Sequence, residues 1–128
     1  MSLSDSRVGA TIAVSDLGRA REFYEGTLGL SPGPMNEEGG VVYVCGEGTS
    51  LLVYLSPDHA GKATATLATW EVDDLEATVD ELTAKGVTFE RYEEPETDEK
   101  GIHAIADNRK VAWFKDPEGN VIAVGQFG

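Results

Sequence analysis

The chain has 128 residues, 41% of them hydrophobic and 26% charged, with a formal net charge of −13. That length and balance describe one soluble domain, or two small halves sharing a core, and exclude disordered and fibrous classes. The acidity argues against nucleic acid and anionic membrane surfaces, which need a basic face, and suits a cationic ligand.

No apolar run approaches the roughly 18 residues of a membrane span, and the start "MSLSDSRVG" has no secretory core, so the expected compartment is the cytoplasm. Residues 1–6 read as a disordered N-terminus or an expression remnant. From Thr11, "TIAVSDLGRAREFYEGTLGL" reads as a short strand, an Asp and a helix. Leu17, Ala20, Phe23, Tyr24 and Leu28 recur at helical spacing, Asp16 is the N-cap, and Gly29 lies beyond the end. Three apolar stretches follow, "LSPGPMNE", "GVVYVCG" and "SLLVYLS", separated by turns rich in Gly or Pro. Cys45 alternates with Tyr43 in the second of them and is expected to be a small buried residue. As the lone cysteine it excludes an internal disulfide, and with only His59 and His103 no Cys/His zinc cluster can be assembled.

After "SPDHAGKATA" the pattern repeats. "TWEVDDLEATVDELTAKGV" is again a strand, an Asp and a helix, with Leu75, Val79 and Leu82 as its apolar stripe, Asp73 or Asp74 as its cap and Gly86 as its stop. Trp70 is expected to pack under the helix. The strand "VTFERY" comes next, then a mobile acidic loop "EEPETDEKG", then "RKVAWFKD" and "NVIAVGQF" joined by the turn "DPEG". Each half is therefore β-α-β-β-β: a first module over 7–56, a linker over 57–64 and a second module over 65–128.

The segments "VSDLGRAREFYEGTLGL", "WEVDDLEATVDELTAKGV" and "FKDPEGN", in that order, resemble the vicinal oxygen chelate superfamily. It includes glyoxalase I, extradiol dioxygenases, fosfomycin-modifying enzymes and bleomycin-binding resistance proteins. The resemblance implies an α+β fold in which two βαβββ modules form a U-shaped mixed sheet around a cavity, usually in a homodimer. It also implies a divalent metal held by His, Gln or Glu, at positions that fall here on Gly9, Tyr54, Leu67 and Ala123. Gly, Leu and Ala offer no donor atom, and a phenol is a poor lone ligand. Moving any of the four by one residue brings in nothing better. No metal, cofactor or catalytic residue of the family kind is therefore expected.

Positions of matching strand parity should face the cavity: Gly9 and Thr11, Leu52 and Tyr54, Leu67 and Thr69, and Ala123. His103 is expected on or near the loop that rims the site, and Trp113 faces it in one of the two turn registers. A lining this small and apolar suits a metal-independent small-molecule-binding protein that sequesters an apolar or cationic ligand, with Tyr54 as its polar handle. The expected partners are that ligand and a second copy of the chain, with no nucleic acid and no membrane. The alternative is a glyoxalase-like lyase, isomerase or dioxygenase with residues such as His103, Glu90 or Glu71 recruited from new positions.

Overall fold

Two aspartates start the two helical segments in the same way. Asp16 and Asp74 are both extended, and their carboxylates accept the backbone N–H of Arg19 and Ala77 at 3.0 and 3.1 Å. Each satisfies one of the donors that a helix start leaves unpaired. A computed structural model describes residues 2–36 and 39–128, the side chains of 34–36 excepted. It divides into two compact units, 1–62 and 63–128. No helix among the described residues is long and apolar enough to cross a membrane.

The first unit contains β1 (Gly9–Val14), α1 (Leu17–Arg21), β2 (Pro32–Asn36), β3 (Gly40–Val44) and β4 (Ser50–Leu55). Its sheet runs β1-β4-β3-β2, with β1 parallel to β4 and the other pairs antiparallel. The regular helix is shorter than the apolar spacing suggests, because it passes into a π-helical segment over Glu22–Thr27. That wider turn buries Tyr24 against Tyr43, with ring centroids 6.1 Å apart. Glu25 then reaches the Tyr43 hydroxyl, which donates to its carboxylate at 2.9 Å, while Arg21 Nε donates to the same oxygen at 2.6 Å. Burial pushes the Tyr43 phenol well above its ordinary range, and the neighbouring carboxylate adds to the effect. The helical segment stops at Gly29, whose φ of 75° is open to glycine at little cost.

The second unit contains β5 (Thr66–Glu71), α2 (Leu75–Ala84), β6 (Ile102–Ala106), β7 (Arg109–Lys115) and β8 (Val121–Gln126). Its sheet runs β5-β8-β7-β6, the same plan, with β5 parallel to β8. Leu75, Val79 and Leu82 are buried beneath α2, and Ala112, Phe114, Ile122 and Val124 are buried on the sheet. Each of these side chains larger than alanine contributes about 1.5–3 kcal/mol by leaving water. Gln126 ties the end of β8 to the helix start, its side-chain oxygen accepting the Leu75 N–H at 3.0 Å. Both units are thus four-stranded mixed sheets with a helical segment on one face, an α+β fold.

Three expectations need correction. "VTFERY" does not form a strand: Phe89 makes an isolated bridge to Phe114, and Glu90 N–H donates to the Trp113 carbonyl at 2.8 Å. The rest of that edge of β7 is taken by β6, the segment that carries His103. The two stretches meet at Gly101, where a Cβ would lie 2.8 Å from Phe89 Cβ and 2.9 Å from the Glu90 carbonyl oxygen. The acidic loop is closed by hydrogen bonds at both ends. Tyr92 and Thr97 exchange them through backbone and hydroxyl, and Asp98 accepts the N–H groups of Lys100 and Ile102 at 2.8 and 2.9 Å. Cys45 lies just past β3 and is partly exposed, since the chain turns at Gly46 before the alternation can bury it. At the N-terminus, Leu3–Asp5 form a single 3-10 turn, while Met1 lies outside the described residues, as does Glu37 at the end of "LSPGPMNE".

Candidate ligand-binding face

The strand pairings fix which side chains share the sheet face turned away from each helix. In the first unit, Thr11 aligns with Leu52 and Leu52 with Val42. The next row is Ala13, Tyr54 and Gly40, and Gly9 aligns with Ser50. Gly40 lets this face close up: a Cβ there would lie 3.2 Å from Leu52 Cδ1 and 3.4 Å from Tyr54 Cβ. Leu52 and Tyr54 are half-buried, and Gly9 and Thr11 are exposed.

In the second unit, Thr69 aligns with Ala123 and Ala123 with Trp113. The turn register left open by the sequence is thereby resolved: Trp113 stands on the same face as Ala123 and Thr69. The adjoining row is Glu71, Gly125 and Val111, with His103 opposite Val111. Trp70 aligns with Val124 on the helix side, as its phase requires. Leu67 sits in a bulge, because Leu67 and Ala68 together occupy the step between Thr66, opposite Val121, and Thr69, opposite Ala123. The strict alternation assumed for this strand breaks there.

Trp113 is the centre of a ring cluster. Tyr92 meets it edge-on at 5.5 Å between centroids, and the His103 imidazole lies within 29° of parallel at 6.1 Å. His103 Nδ1 is 2.8 Å from the Glu96 carbonyl oxygen. One row away, Gly125 leaves a place for the Phe127 ring, which a Cβ at 125 would meet at 2.6 Å from Cε2. Lys115, on the same face, has its Nζ 3.6 Å from Glu90 Oε1. Tyr92 and Phe127 are the members of this face that sequence reasoning missed. Tyr92 arrives from a loop, whose direction has no periodic signal, and Phe127 lies past the last strand.

A shallow cavity of about 530 Å³ also opens in this unit, lined by Glu76, Glu96, Asp98, His103 and Lys110 among others. It lies around the outer edge of β6.

The pairings correct one equivalence between the modules. Counted from the capping aspartates, Thr11 corresponds to Thr69, and their partners are Leu52 and Ala123. The first-unit counterpart of Ala123 is therefore Leu52, and that of Gly125 is Tyr54.

A family profile described as "Glyoxalase/Bleomycin resistance protein/Dioxygenase superfamily" matches residues 8–124. The chain belongs to that superfamily. A glyoxalase/bleomycin resistance protein from Catenulispora acidiphila DSM 44928 is 28% identical, over 95% of this chain and 98% of its own, with a TM-score of 0.71. One from Streptomyces sp. CB03234 is 25% identical over 94% and 100%, with a TM-score of 0.68. TnmS3, an antibiotic-binding protein from the same Streptomyces, is 24% identical over 95% of each chain at a TM-score of 0.70, a likeness that speaks for the fold alone. No curated protein matches the chain. The superfamily's metal does not fit the residues at the corresponding positions. Gly9, Leu52, Leu67 and Ala123 have no donor atom, and Tyr54 adds only a phenol. Among the described residues no group of three or more His, Cys, Asp and Glu side chains is placed to hold a metal ion.

Proposed function

We propose that this member of the superfamily is a metal-independent small-molecule-binding protein, which sequesters a flat apolar or cationic ligand rather than transforming it. The observation that carries the reading is the ring cluster of Tyr92, Trp113 and His103 on a sheet face whose metal positions have lost their donors. An aromatic face binds planar ligands by stacking and cations by attraction to the ring quadrupole. Glu71 on the same face and the net charge of −13 add to the pull on a cation. An antibiotic-binding protein on the same fold lends support to sequestration as its use.

The partner we propose is a second copy of the chain. Val8, 81% exposed, leaves apolar surface at the start of the outer strand β1, and light scattering at varied concentration tests whether it is covered by dimerisation. The binding reading is tested by calorimetry against neutral and cationic arenes, together with elemental analysis of protein purified without chelators. Micromolar binding that weakens about tenfold in Trp113→Ala supports it. Stoichiometric metal accompanied by lyase, isomerase or dioxygenase turnover would replace it with the enzymatic alternative.

A further inference from the structure

We propose that His103 is a specificity-determining residue of this face. Its Nε2 lone pair accepts a hydrogen bond from a hydroxyl or N–H on the rim of a flat aromatic ligand stacked at Trp113. The inference rests on the binding reading above and adds to it the chemical class of the ligand, an arene that carries a donor.

The Glu96 carbonyl decides which imidazole nitrogen carries the proton. A carbonyl oxygen only accepts, so the 2.8 Å contact requires the proton on Nδ1, and a neutral imidazole protonated there has its lone pair on Nε2. The carbonyl is held in place by its neighbours: Thr97 N–H donates to the Tyr92 carbonyl at 3.1 Å, and Tyr92 N–H to Thr97 Oγ1 at 2.8 Å. The ring is held in turn by Trp113, within 29° of parallel. The tautomer and the ring plane are thus both fixed by groups outside the imidazole, and His103 is half-buried. Among the described residues no hydrogen bond or ion pair engages Nε2.

The other charged groups on the face are of both signs: Glu71, Lys115 and, by alternation along β7, Arg109. Glu71 is an exposed acceptor, and Lys115, the cation in the next row, is turned to Glu90 at 3.6 Å. A ligand that covers Nε2 without replacing the hydrogen bond of its water pays the cost of an unmatched acceptor, so arenes with and without a donor are separated in affinity.

The test compares 2-naphthol with 2-methoxynaphthalene by calorimetry at neutral pH. The two share a ring system and differ in one O–H donor. One hydrogen bond of about 1 kcal/mol corresponds to about a fivefold preference for the naphthol. His103→Phe removes the acceptor but keeps a ring beside Trp113, and should bring the ratio of the two affinities close to one. Independently of any variant, ¹⁵N spectra of the wild-type imidazole should show a protonated Nδ1 and an unprotonated Nε2. The Nε2 signal should move on adding the naphthol and stay in place on adding the ether. Equal affinity for the two compounds, or a proton found on Nε2 in the free protein, would overturn the inference and leave the binding reading standing. Binding of neither compound would overturn both.

Discussion

The two sheet faces turned away from the helices are built on one plan and filled differently. Thr11 beside Leu52 corresponds to Thr69 beside Ala123, and Tyr54 corresponds to Gly125. In the first unit the central strand β4 supplies bulk itself, and the neighbour that gives way is Gly40. In the second unit the central strand β8 is small at both positions. The space above it is taken by rings from elsewhere: Trp113 from β7, Tyr92 from a loop and Phe127 from the chain end. The lesson is that a repeated backbone fixes where side chains can stand, while the volume at each place can be moved to a neighbouring strand. Small residues at Ala123 and Gly125 are the condition for an aromatic face. The helix-covered faces, by contrast, carry fully buried side chains in both units, among them Ile12, Val14 and Val53 in the first and Phe114 and Ile122 in the second.

That contrast can be broken at several points. Phe114 belongs to the covered side of the second unit, fully buried with its ring 5.3 Å from Phe89, and Phe114→Ala should cost about 3–5 kcal/mol in denaturant unfolding. An open-face substitution with an equal cost would mean that the face assignments are reversed. Asp116→Ala should follow at about 2–3 kcal/mol, because its buried carboxylate accepts the N–H groups of Glu118 and Asn120 and the Asn120 amide. Trp113→Ala should weaken arene binding about tenfold, measured by calorimetry, whereas Tyr54→Ala should change it less than about twofold. Equal losses would show that the two faces contribute alike.

The smallest effect concerns the Glu25 carboxyl on the covered side of the first unit. Hydrogen bonding to Arg21 holds the Glu25 carboxyl below its ordinary value, with Tyr43 acting in the same direction. A carboxyl depressed on folding stabilises the protein above its unfolded value, and that contribution is lost as pH falls through the folded one. The stability difference between wild type and Glu25→Gln, followed by thermal melts, should therefore shrink on acidification from pH 6 to pH 3. A constant difference would assign the role of Glu25 to packing.

Much of the fold was legible because its signals are local. The capping aspartates, the apolar stripe of α2, the glycine stops and the DPEG turn are each fixed by residues within a few positions. The strands of the first unit were read from the same kind of signal. What escaped depends on partners distant in sequence. The π-helical segment has the apolar spacing of an ordinary helix, and the demand of Tyr43 for Tyr24 and Glu25 is invisible along the chain. "VTFERY" looks more like a strand than "IHAIA" does, yet most of the edge of β7 goes to the latter, because Gly101 permits the crossing beside Phe89. Of the candidate site, the strand positions were legible by parity, except where the bulge at Leu67 interrupts it. The direction of Trp113 was not, since a two-sided turn admits either register until the pairing with Ala123 is known.

That pairing is set by the turn itself. Asp116 and Asn120 are buried and bonded to each other, and Gly119 takes a φ of 94° between them, so β7 and β8 leave the turn in a single alignment. The alignment is held by residues that do not stand on the candidate ligand face. Evolution can therefore vary positions 113, 123 and 125 without renegotiating which side chains look outward, and only the volume of the newcomer counts against it. The sequence FKDPEGN is in this sense an anchor for change: it lets a scaffold drop one chemistry and take up another while its strands stay in step.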